Sequence, residues 1–192
     1  MKAQVDTTEN PLSGERITSL TTAEETGGEF VKIRAELPAG ASGPPLHYHL
    51  AFTETFEVIE GRLDLYVGGK KNHLVLQNGQ SAHAPLKVRH TFWNGSEGPV
   101  VFECEIRPAR RFERSIRAAF GLAGDGKTNK AGVPGNIWEL ALLYELSESY
   151  VVGMPLFLQR TIFGALVAIV RRRGCDPEFF RHAAPEGAGK ES

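Results

Sequence analysis

Hydrophobic and polar positions alternate along the chain from Glu29 to about Pro108. Short runs rich in Val, Ile, Phe and Tyr follow one another there, and Gly, Pro and Asn separate them at close intervals. The runs RLDLYV and NHLVLQ flank GGKK, which is typical of a β-hairpin. Many short strands with tight turns predict a β-sandwich or a small barrel. The first run, EFVKIRAEL, places these apolar residues on one face: Val31, Ile33, Ala35 and Leu37.

The last run of this region, VVFECEI, predicts a strand with two different faces. Phe102, Cys104 and Ile106 form its apolar phase, which we expect to face the core. The opposite phase is expected to face solvent or a subunit interface, and it consists of Val101, Glu103, Glu105 and Arg107.

The periodicity changes from two to nearly four residues beyond the last predicted strand. Phe112, Ile116 and Phe120 recur every four residues, and arginines occupy the other face. This pattern predicts an amphipathic helix over 109–121 that stops at Gly121. The loop GDGKTNKAGVPGN follows, and Asn136 at its end is a candidate N-cap for a second helix. The predicted apolar stripe of that helix is Ile137, Leu140, Ala141 and Tyr144.

A third helix can open at Pro155 and end at Gly174, after three arginines that suit the negative end of the helix dipole. Its most apolar part, TIFGALVAIV over 161–170, is about half of the roughly 20 residues that a membrane span needs. We therefore interpret this helix as buried in the protein. An interfacial membrane helix is the minor alternative, because the apolar run ends in arginines.

The change from strand to helix signals divides the chain into four parts. We expect an N-terminal arm over 1–28, a β-barrel over 29–108, a helical extension over 109–182 and a flexible tail over 183–192. The extension can lie on its own barrel or cover the barrel of a partner subunit, and the sequence leaves both arrangements open.

The amino-acid composition and the net charge indicate which kinds of ligand to expect. The 192 residues are 41% hydrophobic and 23% charged, as in an ordinary globular protein, and the net charge of −1 gives no field that would collect phosphate groups. A small-molecule ligand or a protein partner is therefore expected, rather than nucleic acid or a membrane. The start MKAQVDTTENPLSGER lacks an apolar run after its lysine, so we expect a cytoplasmic protein. Cys104 and Cys175 are far apart, and each is interpreted as a reduced filler residue.

The stretch PPLHYHLAFTETFEVIEG carries the candidate chemistry. His47 and His49 are two apart and share a face of a strand, and Glu54 shares a face with two apolar residues, Phe56 and Val58. A carboxylate on an apolar face is costly unless it is paired or bound to metal. The alternative is that these are ordinary histidines on a sheet, as we interpret His73, His83 and His182.

A third imidazole is available at His90, which would share a face with Phe92 and Asn94. Imidazole nitrogens with one carboxylate suit one divalent transition metal: Fe, Mn, Ni, Cu or Zn. Aromatic residues in phase with these ligands are pocket candidates, although aromatic residues on strands are more often core. The complete set of predicted pocket-lining residues is Phe56, Val58, Phe92 and Asn94.

Two spacings along the chain resemble the signatures of the cupin superfamily. The first signature is His-x-His, then four residues, Glu, six residues and Gly. In this chain its positions are His47, His49, Glu54 and Gly61. The second signature is Gly, then five residues, Pro, four residues, His, three residues and Asn. In this chain its positions are Gly79, Pro85, His90 and Asn94.

The resemblance covers about residues 29–108 and implies a mainly β fold, a double-stranded β-helix or jelly-roll barrel. It implies metal ligands at His47, His49, Glu54 and His90. Lys87 stands where a glycine is expected in the turn before the last ligand, so a left-handed backbone there would be strained. The helical third is similar to the C-terminal extension of a group of small bacterial cupins that generally lack an assigned reaction.

Three functions are compatible with these features. The first is a metal-dependent enzyme of dioxygenase, isomerase or decarboxylase type that acts on a small organic molecule, with no general acid or base assignable. The second is a non-catalytic module that binds metal or a small ligand and uses its helical extension for homodimer or partner contacts. The third is a metal-free barrel whose helices are the functional part. We favour the first, because the four ligand types are all kept.

Overall fold

A computed structural model describes residues 6–69, 72–174, 179, 182 and 183. Cys175 and residues 184–192, which include nearly all of the predicted tail, lie outside the described residues. The described helices are α1 (Phe112–Gly124), α2 (Ile137–Ser147) and α3 (Leu156–Arg173). The described strands are β1 (Thr7–Glu9), β2 (Arg16–Thr21), β3 (Val31–Leu37), β4 (His47–His49), β5 (Thr53–Glu60), β6 (Arg62–Val67), β7 (His73–Gln77), β8 (Ser81–Ala84), β9 (His90–Trp93), β10 (Val100–Arg107) and β11 (Ser149–Val151).

The strands form two antiparallel sheets, which confirms the predicted mainly β fold. One sheet has the order β1-β2-β3-β10-β5-β8, and the other has the order β11-β4-β9-β6-β7. Non-consecutive neighbours in both orders give the crossovers of a jelly roll rather than a simple meander. The hydrophobic core lies between the two sheets, where the apolar face of β3 is buried as its alternation predicts.

The central strand β10 has the predicted inward face. Phe102, Cys104 and Ile106 are buried, and Cys104 is a free thiol. The outward phase differs from the expectation at Glu103, which is only 8% exposed. Lys32 and Arg34 on the neighbouring strand β3 form ion pairs with its carboxylate, so the charge is covered by cations instead of being left in solvent.

The predicted N-terminal arm contains strands β1 and β2, which extend the six-stranded sheet beside β3. The sequence pattern did not predict them, because β2 is rich in Thr and Ser and lacks a clean alternation. Ile17 is the buried apolar residue of β2, and it pairs in register with Ala35.

Helix α1 begins three residues later than predicted and continues through Gly121 to Gly124. Gly121 does not stop the helix, which corrects the prediction. A Cβ at this position would lie 2.3 Å from Cγ of His182, so the glycine provides room for a neighbouring side chain. Packing, rather than chain termination, explains the glycine.

Helix α2 has the predicted N-cap, since Oδ1 of Asn136 accepts a hydrogen bond from the N–H of Trp138. Its predicted stripe is partly wrong, because Ile137 is 45% exposed. The buried face instead includes Glu139, whose carboxylate pairs with the Lys127 ammonium at 3.2 Å. That cation allows an acidic residue to take a place that the hydrophobic pattern assigned to apolar ones. The buried residues of α2 are Glu139, Ala141, Leu142 and Leu146.

Helix α3 starts after Pro155 and ends at Gly174, as predicted. The prediction that it is buried is wrong. One side packs on α2, and the described buried residues of α3 are Gln159, Val167 and Val170. Phe157 is 72% exposed. Among the described residues, no helix combines the length and apolarity that crossing a bilayer requires.

Candidate metal centre

Four buried side chains meet inside the barrel where the two sheets face each other. His47 and His49 come from β4 and His90 from β9, which are neighbours in the five-stranded sheet. Glu54 comes from β5 in the six-stranded sheet. Strand alternation turns all four inward, and none is more than 7% exposed. Within the described part of the chain, this is the group of histidine and acidic side chains that could hold a metal ion.

The three imidazoles are held in one tautomer by backbone carbonyl groups. The Nδ1–H of His47 donates to the carbonyl of Pro45 at 2.8 Å, and the Nδ1–H of His90 donates to the carbonyl of Val88 at 3.0 Å. The Nδ1–H of His49 donates to the carbonyl of Glu148 at 3.3 Å. Because Nδ1 carries the hydrogen of each ring in its neutral form, Nε2 is the nitrogen that has a lone pair for a metal ion.

The free nitrogens point at one another and at the carboxylate. Nε2 of His47 and Nε2 of His49 are 3.1 Å apart, and Nε2 of His90 lies 2.7 Å from Oε2 of Glu54. Nε2 of His90 is buried without a hydrogen bond of acceptable geometry. Lone pairs that face one another in a buried site repel unless a proton or a cation lies between them. The donor set therefore fits a cation.

The size of the cluster also fits one ion. The four ligand atoms all lie within 4.8 Å of one another. Atoms that share an ion at about 2.1 Å each can be at most about 4.2 Å apart. The cluster is therefore only slightly wider than a complete coordination shell.

Protonation states in the cluster follow from burial and charge. Burial, followed by the charges of the His90 and His49 rings, lowers the pKa of His47 to about 3. Burial also lowers the pKa of His49. For His90, burial acts in the same direction, but the Glu54 carboxylate outweighs it and raises the pKa. Burial acts to raise the pKa of Glu54, and the histidines outweigh it and lower this pKa to about 2. At a pH below the raised pKa of His90, the metal-free site thus holds a Glu54–His90 ion pair beside two neutral imidazoles.

The predicted pocket residues lie near the cluster but belong mainly to the core. The rings of Phe56 and His90 are 6.4 Å apart, and Phe56 also contacts Phe92 at 5.8 Å. Phe56, Val58 and Phe92 are all members of the hydrophobic core cluster. A Cβ at Gly43 would lie 2.3 Å from Cζ of Phe92, so the backbone closes directly over that ring. Their role as pocket walls stays a prediction.

Asn94 has a structural role that the sequence did not indicate. Its Nδ2 donates to the carbonyl groups of Leu37, Pro38 and Gly98, at 2.9, 3.1 and 2.8 Å. Its Oδ1 accepts from the N–H and the hydroxyl of Ser96. The amide is thus fully used in tying the end of β3 to the loop after β9, and it has no free group to offer a ligand.

The remaining histidines have partners outside the cluster. His73 pairs with buried Asp64 at 2.8 Å, and His83 hydrogen bonds to Thr55 at 2.9 Å. His182 pairs with Asp125 at 2.8 Å. These contacts agree with the interpretation of all three as structural residues, although the sequence did not reveal their partners.

The turns around the ligands use a left-handed backbone. Gly61 and Gly79, the glycines of the two signatures, have φ of 87° and 75°. A Cβ at Gly61 would lie 2.7 Å from the carbonyl oxygen of Pro99. Lys87 has φ of 66°, so the strained lysine that the sequence suggested is present in the turn before His90.

Residues 33–105, which contain all four ligands, match the cupin domain family, Cupin_2. This part of the chain is a cupin domain. The family match ends at Glu105, so it does not describe the helical extension. The cupin match therefore covers the ligand cluster and most strands of the two sheets, but not β1, β2 and β11.

Several known proteins are similar to this chain at low sequence identity. The chain is 29% identical over 143 residues to oxidoreductase iacF of Pestalotiopsis fici, covering 69% of this chain and 70% of that protein. It is 29% identical over 82 residues to quercetin 2,3-dioxygenase of Bacillus subtilis, covering 42% of this chain but only 23% of that enzyme. A predicted oxalate decarboxylase of Thermotoga maritima shares 19% identity, covering 56% of this chain and 94% of that one, with a TM-score of 0.48.

The match to the Pestalotiopsis fici protein reaches past the cupin domain. Its 143 aligned residues outnumber the residues that precede the helical extension. Part of the extension is therefore shared with that oxidoreductase.

Proposed function

We propose that the protein is a metal-dependent enzyme of oxidoreductase type, which acts on a small organic molecule at the His47, His49, Glu54 and His90 cluster. The observation that carries the proposal is the convergence of three imidazole Nε2 atoms and a carboxylate, all buried and within 4.8 Å of one another. The oxidoreductase and dioxygenase activities named for two relatives support this reaction class over isomerisation or decarboxylation.

The chain's own residues would hold the ion and shield it. His47, His49 and His90 supply neutral nitrogen ligands, and the Glu54 carboxylate supplies one negative charge. The Phe52 ring stacks on His49, with 3.9 Å between the ring centroids, and excludes water from that side. A divalent ion bound there would supply Lewis-acid or redox chemistry to the substrate.

Activity of the reconstituted protein tests the proposal. Metal-free protein would be loaded with Fe²⁺, Mn²⁺, Ni²⁺, Cu²⁺ or Zn²⁺ and assayed for oxygen consumption and product formation on enolic and aromatic acids. We expect turnover with at least one metal, its loss in His49→Ala, and its retention in His83→Ala, which changes a histidine outside the cluster. No turnover with any metal and substrate would contradict the enzymatic assignment.

A non-catalytic binding module is the second candidate, and one observation favours it. Phe157, Ile162 and Ile169 on α3 are 72, 40 and 37% exposed, which suits a helical extension that contacts a second copy of the chain or another protein. For this candidate we expect metal uptake without turnover. Sedimentation equilibrium should then give a dimer that Phe157→Asp weakens, and a monomer at all concentrations would contradict the dimer contact.

A further inference from the structure

Three non-glycine residues in the described part of the chain have a left-handed backbone. They are Lys87, Arg110 and Glu148, with φ of 66°, 51° and 49°. Such conformations are strained for residues with a side chain, and they persist where the surroundings enforce them, often at functional sites. The three lie in three different segments of the chain, yet all of them converge on the ligand His49.

Two of the strained residues contact His49 directly through their backbones. The N–H of Lys87 donates to the carbonyl of His49 at 2.7 Å. The carbonyl of Glu148 accepts the Nδ1–H of the same residue at 3.3 Å. His49 is therefore held at both its main chain and its ring.

Arg110 holds the side chain of Glu148 in place. Nε of Arg110 donates to Oε2 of Glu148 at 3.0 Å, and its Nη2 donates to Oε1 at 2.8 Å. A bidentate pair of this kind fixes orientation as well as distance. Because Arg110 precedes α1 and Glu148 ends α2, the pair fixes the corner between α2 and β11.

Strand β11 follows this corner and pairs with β4, the strand that carries His47 and His49. Ser149 and Val151 of β11 pair in register with His49 and His47 of β4. The helical extension thus adds the edge strand of the sheet that carries three of the four candidate ligands. The extension is part of the wall of the site, rather than an appendage beside it.

We propose that Arg110 and Glu148 are positioning residues for His49, through which the helical extension sets the geometry and affinity of the metal centre. This inference rests on metal binding at the cluster. The Glu148 carbonyl fixes the His49 tautomer and directs Nε2 towards the other ligands. Arg110 acts one step further out, by keeping that carbonyl in place through the Glu148 side chain.

Co²⁺ binding tests the proposal, with dissociation constants from competition with a chelator and visible absorption spectra as a report on ligand geometry. Arg110→Gln and Glu148→Gln each break the pair while leaving the backbone carbonyl present. We expect each to weaken Co²⁺ binding by on the order of tenfold and to change the spectrum, as loss of outer-shell partners of metal ligands does. The charge-swapped variant Arg110→Glu/Glu148→Arg should restore both towards the unmodified protein.

Arg171→Gln is the matched control, because Arg171 makes a similar ion pair in the same extension with Glu145, and not with Glu148. It should leave affinity and spectrum unchanged. The proposal is overturned if Arg110→Gln and Glu148→Gln bind within about twofold of the unmodified protein with the same spectrum. It is also overturned if Arg171→Gln has an equal effect. Failure of the unmodified protein to bind Co²⁺ would instead reject the proposed function itself.

Discussion

The Glu54 carboxylate and the His90 imidazole form a buried ion pair, with 2.7 Å between Oε2 and Nε2. The pair raises the pKa of His90 above its ordinary 6.5. In the metal-free protein, His90 therefore still holds a proton at a pH where a free histidine has lost it. An incoming metal ion must displace that proton.

Metal affinity should consequently depend on pH above the usual histidine range. As the pH rises through the raised pKa of His90, the competing proton is lost and binding strengthens, by up to about tenfold per pH unit below that pKa. His47, with its pKa of about 3, adds no competition near neutral pH. Isothermal titration with Zn²⁺ between about pH 6 and about pH 8.5 measures the slope. Affinity that is constant over this range would contradict the ion pair.

Asn94→Ala should destabilise the fold without changing metal affinity. The substitution leaves the carbonyl groups of Leu37, Pro38 and Gly98 without their shared donor, which we expect to cost roughly 3 kcal/mol in the free energy of unfolding. Urea unfolding measures the loss, and Ser96→Ala, which removes one hydroxyl donor to Oδ1, should cost less. If Asn94→Ala were as stable as the unmodified protein but bound a small ligand more weakly, Asn94 would act as the pocket residue that the sequence predicts.

Two glycine substitutions inside helices should act in opposite directions. Gly121→Ala places a methyl group 2.3 Å from Cγ of His182 and should cost about 1–3 kcal/mol through overpacking. Gly164→Ala in α3 meets nothing within 4 Å and should stabilise by about 0.5–1 kcal/mol, because alanine is the better helix former. Thermal unfolding of both variants provides the comparison. Stabilisation by Gly121→Ala would show that α1 and His182 do not pack as described.

The ligand cluster was predictable from sequence because its information is local. His47 and His49 lie on one strand and Glu54 lies on the next, and strand alternation places the two histidines on the same face. That Glu54 and His90 join the two histidines as ligands was implied by the resemblance to the cupin signatures, because spacing alone does not show that residues of different strands meet. The core faces of β3 and β10 were predictable from strand alternation.

The contact between Glu148 and His49 was not predictable, because the two residues are 99 positions apart. Glu148 contributes a backbone carbonyl, and any residue could supply that group. The left-handed conformation that points this carbonyl at His49 depends on tertiary packing. No side-chain pattern could have revealed it.

The errors in the helical part also have tertiary causes. Glu139 takes a buried place on α2 because Lys127 neutralises it, and hydrophobic periodicity cannot anticipate a cation from a loop. Gly121 looked like a helix stop, but it provides space for His182. Apolar composition suggested a buried α3, whereas the described partners cover only one of its sides.

Metal content measured on tag-free protein shows whether the His47, His49, Glu54 and His90 cluster holds an ion. After metal removal and dialysis against Zn²⁺ or Mn²⁺, we expect about one ion per chain in the unmodified protein. The same content is expected in Glu57→Gln, which changes an exposed carboxylate on the opposite face of β5. Glu54→Gln should lose most of the metal, because it removes the one carboxylate ligand. If the unmodified protein took up no metal, or if Glu54→Gln and Glu57→Gln took up equal amounts, this cluster would not be the metal site.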